Sequence, residues 1–308
     1  MKKDFVSIKD IDRVEFLEII RDAGVLKTEK EKTMEKQPLK GKVLAMLFEK
    51  PSLRTRFTFE AGIYELGGMG IYFAPADISI GKRESIEDIA KNLSRWASGI
   101  IARTFAHSTV TGLAENASIP VINGLSDLEH PCQILADFQT IYEKKGRLEE
   151  VKLAFIGDGN NVCHSMMLAS GLMGMDFRVA CPEKYPPNQE IVEEAKKMAG
   201  ISSGSILVTT DPKEAADEVD VIYTDVWASM GFKDEAEERR VAFKDFQVNK
   251  DIAFCAANDY IFMHCLPAIR GEEVTSDVID GPNSVVFDQA ENRLHAQKAL
   301  MLKLMRGK

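Results

Sequence analysis

The segment Phe48-Glu49-Lys50-Pro51-Ser52-Leu53-Arg54-Thr55-Arg56 has the residue types needed to hold an oxyanion. It leaves an apolar run and opens a helix, so free main-chain N–H groups and the positive end of the helix dipole face the loop. Ser52 and Thr55 add hydroxyl donors, and the Arg54 guanidinium can grip an oxyanion with two parallel hydrogen bonds. The glycine-rich walls of a P-loop are missing. A Ser or Thr helix cap beside solvated arginines would use the same residues. Two arginines and a lysine on one strand-to-helix turn favour the phosphate reading.

Four further segments offer polar groups. His130-Pro131-Cys132-Gln133 opens a helix, where an imidazole and an amide can donate to a carbonyl oxygen and accept from an NH2 group; alone, such a histidine is more often a packing residue. Gly157-Asp158-Gly159-Asn160-Asn161-Val162 imitates a dinucleotide fingerprint, but Val162 stands at the third glycine position and only Glu183 offers a later acid. A nicotinamide site is therefore poorly supported, and Asn161 is free to reach a small polar ligand. In Asp225-Val226-Trp227-Ala228-Ser229-Met230-Gly231, Asp225 can hold an ammonium while Ser229 and the Met230 backbone complete an amino-acid clamp. Packing of Trp227 and Met230 on the core is the competing reading. In His264-Cys265-Leu266-Pro267, neighbours on a strand point to opposite faces, so a Cys–His nucleophile pair is not expected. Cys265 can still touch a substrate amine, and the Leu266 carbonyl can accept. Arg293, in Asp288-Gln289-Ala290-Glu291-Asn292-Arg293, reads as the opening of the last helix and, by itself, as structural. No CxxC or HExxH spacing occurs, so neither a metal nor a cofactor is expected.

Short apolar runs alternating with amphipathic stretches must position these residues. Strands are expected at residues 42–48, 71–73, 100–103, 121–122, 151–156, 177–180, 206–208, 221–223, 261–263 and 285–287. Helices are expected at 55–66, 86–97, 109–116, 131–144 and 290–305. Strand–helix–strand order with short connections implies right-handed crossovers and parallel sheets. The pattern restarts near residues 130–150, giving two α/β domains with ligands expected beyond strand C-termini and between the domains. The 308 residues carry 39 Lys plus Arg against 48 Asp plus Glu, a net charge of −9, which argues against nucleic-acid binding. No apolar stretch reaches membrane-spanning length and no signal peptide is expected. The five cysteines read as reduced thiols of a cytoplasmic protein.

Taken together, and in order over essentially the whole chain, Ser52 to Arg56, His130 to Gln133, Asp225 to Gly231, His264 to Pro267 and Arg293 resemble the transcarbamoylase family, with the acceptor pattern of its ornithine-using members. The resemblance implies an α/β fold of two doubly wound parallel-sheet domains joined by helices. A carbamoyl-phosphate domain would cover 1–146, an ornithine domain 147–289, and a helix over 290–308 would return to the first domain. It implies transfer of a carbamoyl group to the side-chain amine of L-ornithine, without a cofactor, in a homotrimer or an assembly of trimers. By this resemblance Ser52, Leu53, Arg54, Thr55 and Arg103 bind carbamoyl phosphate, and His130 with Thr55 and Arg103 polarises its carbonyl. Gln133, the Leu266 carbonyl and Arg293 orient the carbamoyl end, and Cys265 lies beside the reacting amine. Asn161, Asp225, Ser229 and Met230 hold ornithine. Asp225 and Cys265 are the two candidates for the group that takes the amine's proton.

One loop departs from the pattern. Many ornithine-using members carry a Gln where this chain has Ser79. Ser79-Ile80-Gly81-Lys82 is instead similar to the Ser…Lys loop of aspartate-using members, which implies that Ser79 and Lys82 reach a neighbouring subunit's carbamoyl phosphate. The acid and neutral donors of Asp225 to Gly231 nevertheless favour a cationic acceptor over an acidic one. A nicotinamide-dependent oxidoreductase would explain the two domains but leaves the Ser52–Arg56 cradle and Arg293 without a role.

Overall fold

The computed structural model describes residues 3–78, 80–81, 83–228 and 235–306. The chain divides into two compact units, Met1–Gln139 with Glu291–Lys308, and Thr140–Ala290. In the first unit β1 (Val43–Phe48), β2 (Met69–Phe73), β3 (Gly99–Arg103) and β4 (Val121–Leu125) form a parallel sheet in the order β2-β1-β3-β4. In the second, β5 (Lys152–Ile156), β6 (Asp176–Ala180), β7 (Ser205–Thr209), β8 (Val221–Thr224) and β9 (Ile261–His264) are also all parallel, in the order β7-β6-β5-β8-β9.

Strands covered by helices on both faces lose water on both, which explains why the inner strands read as continuous apolar runs. β1 is buried at five of its six positions, and β3 and β8 at every position, as is β9 at the edge of the second sheet. The edge strands β2 and β7 keep exposed positions. Behind the first sheet, Leu47, Ile100 and Ala102 pack with Ile89, Leu93, Val110 and Leu113 of the helices Ile86–Trp96 and His107–Asn116. In the second, Ile156, Ile222 and Phe262 pack with Trp227, Phe243 and Phe246.

Strand order reverses between β1 and β3 and again between β5 and β8. Loops leaving the C-terminal ends of two such strands diverge and open a crevice. In the first unit these loops lead into the helices Leu53–Glu65 and His107–Asn116. In the second they are the turn into the helix Asn161–Met173 and the segment that starts at Asp225. The segments 48–56, 130–133, 157–162 and 264–267, and the described start of the one at Asp225, each lie at or beyond a strand C-terminus.

The end of the chain differs from expectation. Residues 285–287 are not a strand: Val285 donates to the Phe262 carbonyl at 3.0 Å beside a single bridge between Phe262 and Ser284, and a helix runs from Val286 to Met305. In a strand, 285 and 287 would share a face. Here Val285 and Val286 are buried while Phe287 is 73% exposed, a helical pattern. Arg293 consequently lies about two turns into this helix, not at its opening. The part from Glu291 onward belongs to the first unit. A Cβ on Gly62 would stand 3.0 Å from Met301 Cε and 3.2 Å from Lys298 Cγ, so glycine permits the close approach of this helix to Leu53–Glu65. Among the described residues no helix is long and apolar enough to cross a membrane.

Candidate active site

In the first unit Ser52 caps the helix Leu53–Glu65, its hydroxyl accepting from the Thr55 N–H at 3.2 Å. The Leu53 side chain is 78% exposed, so its contribution to the turn is the main-chain N–H. Thr55 is fully buried, and its Oγ1 accepts from Arg293 Nη2 at 2.8 Å and from Arg103 Nη1 at 3.5 Å. Glu49 joins the two strand-end loops. Its N–H donates to the Arg103 carbonyl at 2.9 Å, and its carboxylate accepts from the Phe105 N–H at 2.8 Å.

His130 is buried, and burial together with the Arg293, Arg103 and Arg54 guanidiniums holds its imidazole well below the usual histidine range. It is therefore neutral at physiological pH, a donor on one nitrogen and an acceptor on the other. Gln133 Nε2 donates to Asp137 Oδ1 at 2.8 Å, while its buried Oε1 has no hydrogen-bond partner among the described residues. An acceptor left open in this way suits an NH2 group. Arg56, in contrast, faces away from the cluster: it lies 3.7 Å from the Tyr72 ring centroid and donates to Glu60 at 3.2 Å. Lys50, the lysine of this turn, stands over the Phe105 ring at 4.4 Å, its pKa lowered by burial and by Arg103. It adds a further cation beside the cradle.

In the second unit Asn160 caps a helix and reaches the acid after β8. Its Oδ1 caps the helix Asn161–Met173 by accepting from the Val162 and Cys163 N–H groups at 2.9 and 3.1 Å. Its Nδ2 donates to Asp225 Oδ2 at 2.8 Å. Asn161 is the first helical residue. Gly159 is dictated by packing, since a Cβ there would lie 2.2 Å from the Pro187 nitrogen. The glycines therefore permit a tight turn and do not require a dinucleotide.

Asp225 is 7% exposed and accepts from Asn160, from its neighbour's Val226 N–H at 2.8 Å, and from the Cys265 thiol at 3.1 Å. It makes no ion pair among the described residues. Cys265 thus has Asp225 as its partner. His264 lies fully buried on other business: Nδ1 accepts from the Leu266 N–H at 2.8 Å and Nε2 faces Glu273 Oε1 at 3.2 Å. That bond braces Leu266, whose φ of +57° is left-handed and unfavourable for an L side chain. Although no linear metal motif occurs, the fold brings one ligand atom each from Asp225, His264 and Cys265 within 4.8 Å of one another. Both His264 nitrogens already have protein partners. Cys132, buried in the first unit, has its thiol pushed up to about 12 by burial and is inert.

The first unit gathers Ser52, Arg54, Thr55, Arg103, His130 and Arg293, with Gln133 on the helix that His130 precedes. The second gathers Asp225 and Cys265 around Asn160, with Asn161 beside it and Leu266 on the following turn. Ser79, Lys82, Ser229 and Met230 lie outside the described residues.

Residues 3–143 match the family description "Aspartate/ornithine carbamoyltransferase, carbamoyl-P binding domain", and residues 149–304 match "Aspartate/ornithine carbamoyltransferase, Asp/Orn binding domain". The chain is 54% identical over 305 residues to an ornithine carbamoyltransferase of Thermococcus kodakarensis, covering 99% of this chain and 97% of that protein. It is 53% identical over 306 residues to one of Methanosarcina mazei, covering 99% and 100%. A solved structure of the ornithine carbamoyltransferase from Pyrococcus furiosus superposes with a TM-score of 0.97 at 50% identity, covering 100% of this chain and 98% of that one.

Proposed function

The chain belongs to the aspartate/ornithine carbamoyltransferase family, and from that premise we propose how its residues transfer the carbamoyl group of carbamoyl phosphate to the side-chain amine of L-ornithine, giving L-citrulline and phosphate. The reaction belongs to arginine metabolism and amino-acid biosynthesis.

Carbamoyl phosphate is already activated, with phosphate as leaving group, so the protein's task is to hold charge where it develops. Ser52, the Leu53 N–H, Arg54 and Thr55 cradle the phosphate at the helix N-terminus, with Arg103 beside them. Neutral His130, with Thr55 and Arg103, polarises the carbonyl. The open Gln133 Oε1 accepts from the carbamoyl NH2, and Arg293 fixes the carbamoyl end. The Leu266 carbonyl, on the turn that His264 braces, serves the same NH2. Ser79 and Lys82 reach the phosphate of a neighbouring subunit in a homotrimer or an assembly of trimers, for which sedimentation should give a mass of at least three times 34.3 kDa.

The observation that carries the acceptor side is Asp225, a buried carboxylate supplied with three neutral donors and no cation among the described residues. An ammonium group completes it, and Asn161, Ser229 and Met230 hold the rest of ornithine. A free alkylamine has a pKa near ~10.4, so a proton must leave before attack. The Asp225–Cys265 pair, in hydrogen-bond contact at 3.1 Å, receives it beside the amine. All five cysteines are free thiols, which supports a reducing cytoplasmic setting.

The test is citrulline formation from carbamoyl phosphate and L-ornithine, with putrescine, N-acetylornithine and aspartate assayed in parallel. Turnover with ornithine alone is expected. Preferential turnover of another amine would overturn the acceptor assignment while leaving the phosphate half standing.

A further inference from the structure

Arg239 is only 5% exposed, yet the chemistry above gives it no role. It lies in the short helix Ala236–Ala242. One nitrogen, Nη1, donates to Asp158 Oδ2 at 2.9 Å and to the Trp227 carbonyl at 2.9 Å, while Nε donates to Glu235 Oε2 at 3.2 Å. The guanidinium carbon lies 4.5 Å from the centroid of the Tyr185 ring. Three loops therefore meet on one side chain: Asp158 follows β5, Tyr185 follows β6, and Trp227 follows β8.

Two of these loops carry the acceptor cluster. Asp158 precedes Asn160 by two residues, Trp227 follows Asp225 by two, and Asn160 Nδ2 donates to Asp225 Oδ2 at 2.8 Å. The third loop closes on the first, since the Gly159 N–H donates to the Tyr185 carbonyl at 3.2 Å and the glycine leaves no room for a side chain against Pro187. Burying an ion pair stabilises a fold little compared with apolar residues of the same volume. A planar guanidinium, however, fixes its acceptors in direction as well as distance, which apolar packing does not.

We propose that Arg239 is a positioning residue for the acceptor amine: it clasps the loops after β5, β6 and β8 and so sets the spacing of Asn160, Asp225 and Cys265 without touching substrate. The inference rests on the reading of Asp225 as the acceptor's carboxylate. Arg239 also answers the charge of Asp158, so that Asp225 is the carboxylate left to meet an ammonium. Burial pushes Asp158 up to about 6 even with the guanidinium beside it. Without Arg239, whose charge and hydrogen bond lower it, the Asp158 pKa would rise further.

Arg239→Gln, Arg239→Lys and Asp158→Asn separate this role from simple support of the fold. With each substrate varied in turn, Arg239→Gln is expected to raise KM for ornithine about tenfold or more while KM for carbamoyl phosphate stays within about twofold. Arg239→Lys, which keeps charge but loses the fork, should fall between, and Asp158→Asn should show the same split. A structural arginine would lower kcat by lowering the active fraction and leave both KM values in place. That result, or an equal rise in both, overturns the clasp. Should Arg239→Gln fail to fold, the lysine and Asp158 variants decide by the same split. A wild-type enzyme inactive on ornithine overturns the acceptor reading and this inference with it, whereas an active wild type with unmoved ornithine KM in the variants overturns the clasp alone.

Discussion

Arg293 Nη2 donates to Thr55 Oγ1 at 2.8 Å across 238 residues of sequence, joining the C-terminal helix to the first turn of the helix Leu53–Glu65 inside one unit. Both residues are buried, and Arg103 Nη1 approaches the same oxygen at 3.5 Å. The hydroxyl thus orders two guanidiniums at one point. Thr55→Val keeps the shape and removes the acceptor. Truncating one partner of a buried charged hydrogen bond costs on the order of 2–5 kcal/mol. We expect carbamoyl-phosphate affinity, measured by calorimetric titration, to fall at least about tenfold, with ornithine KM little changed. An unaltered affinity would remove Thr55 and Arg293 from the cradle.

Asp225→Asn keeps the size of the side chain but, with one acceptor oxygen in place of two, can accept from only one of Asn160 and Val226, and it removes the charge that an ammonium needs. Loss of a charged partner in a water-excluded site lowers kcat/KM by roughly a thousandfold or more. Carbamoyl-phosphate affinity, which the proposal assigns mainly to residues of the first unit, should change far less. Cys265→Ser leaves a hydroxyl facing Asp225 and should cost far less, on the order of tenfold. Steady-state kinetics on the two variants checks the ranking. Near-normal ornithine turnover by Asp225→Asn would move the acceptor site elsewhere.

The strands were legible because parallel sheets bury both faces: runs such as VLAMLF and KLAFI have no reading but an inner strand. Residues 285–287 misled for the same reason, since three apolar residues in a row fit a strand or a helix start, and only the exposure of Phe287 separates them. Asn160 was not singled out from the sequence, because its neighbour Asn161 is chemically identical and the cap shows only in where the helix begins. Its position ahead of Val162 and Cys163, where a helix start leaves N–H groups unpaired, was the usable signal. Arg239 carried none. Its partners Asp158, Tyr185 and Trp227 are brought to it by three separate crossovers, and an arginine in the charged run Glu237-Glu238-Arg239-Arg240 reads as surface.

Lys298 has no exposed surface, and its ammonium donates to Glu65 Oε2 at 2.8 Å; Lys30 pairs with the other carboxylate oxygen at 2.8 Å. Burial raises the Glu65 pKa, but the hydrogen bonds and charges of Lys298 and Lys30 outweigh it and hold the carboxyl below its usual range. Removing one member strands a buried charge, at about 3–5 kcal/mol, whereas replacing both by apolar residues is often neutral. Glu65→Leu alone should therefore lower the urea midpoint markedly, and Glu65→Leu with Lys298→Met should recover most of the loss. A double variant no better than the single one would mean that the pair also fixes how the last helix seats on Leu53–Glu65.

The acid limb of stability follows from histidines that stay neutral when folded. Burial and the Lys298 ammonium push His295 down to about 4 from 6.5, with Lys27 adding to the shift and Glu291, 3.7 Å from Nε2, opposing it. Burial lowers His130 and His107 in the same direction. In the unfolded chain these rings take a proton near ~6.5, well before the native His295 does. Between those two values protons favour the unfolded chain, so this stability is whole above about pH 6.5 and is lost as pH falls toward 4. Asp158 works in the opposite sense, because its pKa is raised to about 6 and the folded state keeps that proton longer. The three histidines, with carboxyls held below their usual range such as Glu65 and Asp176, set the net sign. We expect Tm, measured by calorimetry at constant ionic strength, to decline between pH 7 and pH 4, and to decline less steeply in His295→Gln, which cannot take a proton there. Parallel slopes for the two proteins would mean that His295 is already charged in the native state and that Glu291, rather than burial, governs it.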